Sequence, residues 1–93
     1  MFVGVIKIKL YADWVHSLKE KRMIVQSIIG KTRHQFNVSI NEIDLLDVHQ
    51  TIMLGISMVS NSEAQLSRSL DKVISFIESH TEAVVMDIEI EMM

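Results

Sequence analysis

The chain reads as an α+β domain, and three observations point there. Two segments near the ends, Phe2 to Tyr11 and Ala83 to Met92, alternate with the period of a β-strand. Two interior segments repeat apolar residues at helical spacing, and each opens on a serine followed three residues later by Glu or Gln. None of the 93 residues is proline, so nothing interrupts these runs.

In the first strand Phe2, Ile6, Ile8 and Leu10 fall on one side, and Val3, Val5, Lys7, Lys9 and Tyr11 on the other. Ala12 to His16 connects it to a helix. There Ser17 is the N-cap and Glu20 completes a capping box. At 100° per residue, Leu18, Ile24, Val25, Ile28, Ile29, Thr32 and Phe36 share one broad face. Gly30 lies inside this helix, at a cost of up to ~1 kcal/mol relative to Ala. Asn37 to Ile43 is a second strand, in which Val38 and Ile40 alternate with Asn37, Ser39 and Asn41. Asp44 to Val48 is a polar connection.

Gln50 to Ser60 is the third strand. Its inner set is Ile52, Leu54, Ile56 and Met58, and its outer set is Thr51, Met53, Gly55, Ser57 and Val59. Asn61-Ser62 opens the second helix, Gln65 closes its capping box, and Leu66, Leu70, Val73, Ile74 and Ile77 keep helical spacing. In the last strand Val84, Met86, Ile88 and Ile90 face one way, and Val85, Asp87, Glu89 and Glu91 the other. The order βαββαβ predicts a ferredoxin-like fold over residues 1–93: a four-stranded antiparallel sheet with two helices on one face.

Composition excludes several function classes. Zero cysteines rule out disulfides, thiolate catalysis and Cys-based zinc sites. No apolar run approaches the ~20 residues that span a bilayer. Met1 to Val5 has no basic segment of the secretory kind, so a cytoplasmic location and no membrane partner are expected. Net charge is −3, so polyanion binding has to come from a local patch. Residues 1–40 hold seven of the nine Lys and Arg with two acids, whereas residues 41–93 hold ten acids and two bases.

Lys19, Arg22 and Arg33 cluster on one flank of the first helix, and Lys21 points nearer its apolar side. Positive groups near a helix N-terminus suit a phosphate, because free N–H groups and the helix dipole favour an anion there. The plainer reading is a solvated basic face, with Lys21 laying its stem over the core edge. Val3, Val5, Met53, Val59 and Val85 are assigned to the open sheet face. They are either scattered surface hydrophobics or a surface for self-association or a partner. Base stacking on that face is disfavoured. Tyr11 is its one aromatic, and Lys7 and Lys9 lie across from Asp87, Glu89 or Glu91.

No catalytic motif stands out, and no enzyme activity, cofactor or resident metal is expected. Glu42, Asp44, Asp47 and His49 lie close together, but match no Ca²⁺ loop or H-E-x-x-H spacing. The connection ADWVH lacks the glycines of a phosphate-cradling loop such as acylphosphatases use. His16, His34 and His80 are isolated at helix ends or on a helix surface.

The blocks Leu18-Lys19-Glu20-Lys21-Arg22 and Phe36-Asn37-Val38-Ser39, followed by Glu42, Asp47, Gln50 and Val59-Ser60, resemble the YlxP-like family of small bacterial proteins of unassigned function. The resemblance covers nearly the whole chain and implies the same ferredoxin-like fold. Genes of that family often lie beside those of a translation initiation factor and a ribosome-binding factor, which implies a role near RNA or the ribosome. The family usually places Trp two residues after the Asp, where this chain has His49. The family assigns no catalytic residues, so none carries over. Two expectations follow. One is an RNA- or ribosome-associated binding module, without DNA sequence specificity, using Lys19, Lys21, Arg22 and Arg33. The other is a homodimer or protein-interaction module using the open sheet face.

Overall fold

A computed structural model describes all 93 residues. The elements run β1 (Phe2–Tyr11), α1 (Leu18–Gln35), β2 (Ser39–Asp44), β3 (Thr51–Ser60), α2 (Glu63–Ser79) and β4 (Val84–Met92). The strands form one antiparallel sheet in the order β2-β3-β1-β4, the ferredoxin-like arrangement that the element order predicts. β2 begins two residues later than the alternation suggests. Phe36 ends α1 in an extended conformation while its N–H still bonds Thr32 O at 2.9 Å, leaving Asn37 and Val38 as the exit from the helix.

Both caps form. Ser17 Oγ accepts from Glu20 N at 3.1 Å and Ser62 Oγ accepts from Gln65 N at 3.3 Å. Glu20 Oε1 reaches back to His16 N at 2.9 Å, one residue before the cap. The helices deliver Val25, Ile28, Ile29, Leu66, Leu70, Val73, Ile74 and Ile77 onto Ile6, Ile8, Leu10, Ile40, Ile52, Leu54 and Ile56 of the sheet. Gly4 sits where α2 presses closest on β1. A Cβ there would stand 2.9 Å from both Leu70 methyls.

Two bulges shift the side-chain phase. β1 and β4 stay in step from Gly4↔Met92 to Lys9↔Asp87, and then Leu10 pairs with Val85, leaving Met86 as an extra residue. Val85 therefore points to the helix side with Leu10 and packs against the core, while Val84, opposite Tyr11, takes the open face. This corrects the assignment of Val85 to the open face, because strict alternation does not survive an inserted residue. In β2, Glu42 pairs with Leu54 and Asp44 with Met53, leaving Ile43 as the extra residue. Ile43 folds over Gly55, where an added Cβ would meet its Cγ2 at 2.6 Å.

Candidate functional site

The basic helix divides into a buried cation and an exposed stripe. Lys21 lies one turn into α1 on the side facing the sheet and is 1 % exposed. Its Nζ donates to Leu45 O at 2.6 Å and stands 2.9 Å from Glu42 Oε2. The Glu42 contact is ionic, since Oε2 has no well-aligned hydrogen bond. Leu45 adopts left-handed backbone (φ 57°), and its carbonyl also accepts from Val48 N at 3.0 Å. Lys21 thus fastens α1 to β2 and to the turn after it. It is not available to an external phosphate, which corrects its placement among the anion-binding candidates. Burial of this stem is complete, beyond the snorkelling that helix spacing suggests.

Lys19 and Arg22 are exposed and pair with no acid, because the ion pairs of the molecule are Lys7–Glu89 and Lys21–Glu42. Arg33 is also exposed, but one guanidinium nitrogen donates to Ile40 O at 3.0 Å. It belongs to the last turn of α1, and the 1.5 Å rise per residue puts it about 20 Å along the axis from Lys19. The bases therefore form a stripe along the outer helix rather than one pocket at its N-terminus. Gln26 continues the stripe at the same helical phase, and Glu20, the one acid of α1, is turned to the cap.

On the open sheet face Lys7 faces Glu89 at 3.9 Å, and Lys9 pairs in register with Asp87. Val3, Val5 and Met53 are half-buried there and Val59 is exposed. Ile43 and Val84 add to this apolar area: Ile43 is in phase with Ser39 and Asn41, whereas Val84 reaches this face only through the bulge at Met86. A shallow depression of about 400 Å³ lies over Gly55 between Val5, Asn41 and Ile43.

A second depression, about 300 Å³, opens between the start of α1 and the turn before β4. Trp14 and Met23 line it from one side, and His80, Thr81 and Glu82 from the other. The sequence signal is the single Trp of the chain, in the connection Ala12 to His16. His80 stacks on Phe76 with centroids 3.9 Å apart, and its Nδ1 lies 2.8 Å from Phe76 O, so the ring closes the end of α2. Of the acidic connection, Glu42 turns inward to Lys21 and Asp44 Oδ1 accepts from Leu45 N at 2.8 Å. No three His, Asp or Glu side chains converge in a metal-binding arrangement.

A family model described as "Protein of unknown function (DUF503)" matches residues 3–90. The chain belongs to the DUF503 family. Its relatives include "Uncharacterized protein YlxP" of Bacillus subtilis (strain 168), 42% identical over 66 residues, which cover 71% of this chain and 72% of that protein. This DUF503 chain is also similar in structure to "De novo designed protein Foldit4", with a TM-score of 0.51, 12% identity, and coverage of 99% of this chain and 94% of the other. That likeness concerns the fold alone. The YlxP-like assignment made from the SLKEKR and FNVS blocks is correct, and the family's description names no activity.

Proposed function

We propose that this DUF503 protein is a non-enzymatic binding module that engages RNA or a ribonucleoprotein through the outer face of α1. The observation that supports this reading is the pair Lys19 and Arg22: exposed, without acidic partners, on a helix face free of acids, in a molecule of net charge −3. Such a stripe contacts phosphates along a backbone and gives affinity without sequence preference. Arg33 extends the same face, with part of its donor capacity already used by Ile40.

The test is co-sedimentation with ribosomes and subunits across a salt series. The expected result is salt-sensitive association. Lys19→Glu/Arg22→Glu should weaken it by at least about tenfold and lower the log–log salt slope by about 1–2. Association unchanged by the double charge reversal would sink the idea.

A second reading rests on the apolar area of the open face, Val3, Val5, Ile43, Val59 and Val84, which is self-association through the sheet. Sedimentation equilibrium at high concentration decides it. A dimer abolished by Val5→Glu or Met53→Glu supports this reading, and a monomer unaffected by either substitution removes it.

A further inference from the structure

The two sheet edges are built differently. β2 has six residues, carries a bulge at Ile43, and is packed beneath α1. These are the features by which an edge is blunted against further pairing. β4 has nine residues, and its one bulge is at Met86, near its start. The helices lie mainly over β1, β2 and β3, and of β4 only Val85 and Ile88 pack against the core. Ile90, which pairs with the buried Ile6, is 45% exposed, and Met92 at the end of the strand is 39% exposed.

The free backbone groups of β4 follow from the ladder. Val3 and Met93 exchange two hydrogen bonds of 2.8 Å. Antiparallel pairing alternates, so Glu91, Glu89 and Asp87 also bond β1, and the N–H and C=O groups of Met92, Ile90 and Ile88 point to the open edge. Acidic side chains cover the open face of this strand (Asp87, Glu89, Glu91), and apolar ones its helix side (Ile88, Ile90).

We propose that the free edge of β4 accepts an extended segment of a partner protein in which Lys or Arg alternates with apolar residues. β1 already shows the fit on the other side of the same strand. There Lys7 and Lys9 meet Glu89 and Asp87 while Ile6 and Ile8 meet Ile90 and Ile88. A partner strand of that pattern places its bases against the acidic row and its apolar residues over the uncovered Ile90 and Met92. A second copy of this chain does not fit. A two-fold antiparallel register of β4 on itself centred anywhere from Ile88 to Ile90 sets acids of the row Asp87, Glu89 and Glu91 against one another across the new seam. Pairing β4 to the β2 edge of another copy is head-to-tail and does not close.

The test uses a synthetic peptide, acetyl-Lys-Val-Lys-Ile-Lys-Val-Lys-amide with a fluorescent label, against the full chain. Binding is read by anisotropy and the occupied edge by amide hydrogen exchange. The expected result is binding that slows exchange at Ile88, Ile90 and Met92, and that is lost when alternate peptide amides are N-methylated. Ile90→Pro removes one outward N–H without touching the β1 ladder and should weaken binding about tenfold. Glu91→Lys, which has Val5 and no base opposite it, should weaken binding about threefold and serves if the proline variant fails to fold. Binding insensitive to N-methylation, or leaving those three amides unprotected, would show charge attraction alone and overturn the proposal. Absence of binding at millimolar peptide would overturn it as well. None of these outcomes depends on Lys19 or Arg22, so they leave the RNA reading where it stands.

Discussion

Lys21 is the residue whose role changes most between sequence and structure. Four consecutive charges, Lys19 to Arg22 with Glu20 among them, read as a surface. One of them is instead a strut in the core, held by Glu42 and by a carbonyl that Leu45 presents from left-handed backbone. Helical phase already put Lys21 near the apolar side. Helical phase does not reveal its partner, because Glu42 meets it from β2, the strand beneath α1, on the face it shares with Leu54. Removing Lys21 leaves Glu42 charged, unpaired and largely screened from water. Lys21→Met is therefore expected to lower unfolding free energy by about 2–4 kcal/mol in urea titration. Lys21→Met with Glu42→Leu should recover to within about 1 kcal/mol of the parent, because the double change leaves no unpaired charge. A double variant no better than the single one would mean that the pair does not act as a unit.

At the scale of elements, what was legible followed from periodicity and what was missed followed from its interruption. Both caps, the core faces of both helices, and the inward residues of β1 and β3 needed only local rules. The bulges at Ile43 and Met86 are set by pairing between strands far apart in sequence, and no local signal marks them. The bulge at Met86 is why alternation puts Val85 on the open face and Val84 on the helix side, the reverse of what the pairing shows, whereas Ile43 is in phase with Asn41 and needs no bulge to reach the open face. Gly4 shows a similar limit. It is in phase with Ile6 and Ile8, but its absence of a side chain matters only once α2 is in place. Gly4→Val should cost about 1–3 kcal/mol, measured as a lowered Tm, because Leu66 and Leu70 must give way. Ser17→Ala should cost about 1 kcal/mol through loss of the α1 cap.

For the whole molecule, strand and helix order was enough to give sheet topology. The uneven charge along the chain is partly undone by folding, as β1 brings Lys7 and Lys9 beside the acidic β4. What remains basic is the outer side of α1, and what remains acidic is the β4 end of the sheet. The two faces offer different partners different chemistry. The candidate site was legible in part: Lys19 and Arg22 stand where helical phase puts them, Lys21 is withdrawn, and Arg33 lies a helix length away.

β1 occupies the middle of the sheet, with β3 on one side and β4 on the other. Of these four strands it is made first, and β4 last. Through most of synthesis the central strand therefore has one side of its backbone unpaired, beside the apolar row Ile6, Ile8 and Leu10. Long-range closure of this kind makes folding slow and leaves the nascent chain exposed to wrong pairing. A chain ending at Ala83 should consequently fail to give a sharp unfolding transition and should aggregate in light scattering, whereas the full chain should unfold cooperatively. The order in which the strands are made, and not the stability of the finished sheet, then sets the interval during which this protein is most vulnerable.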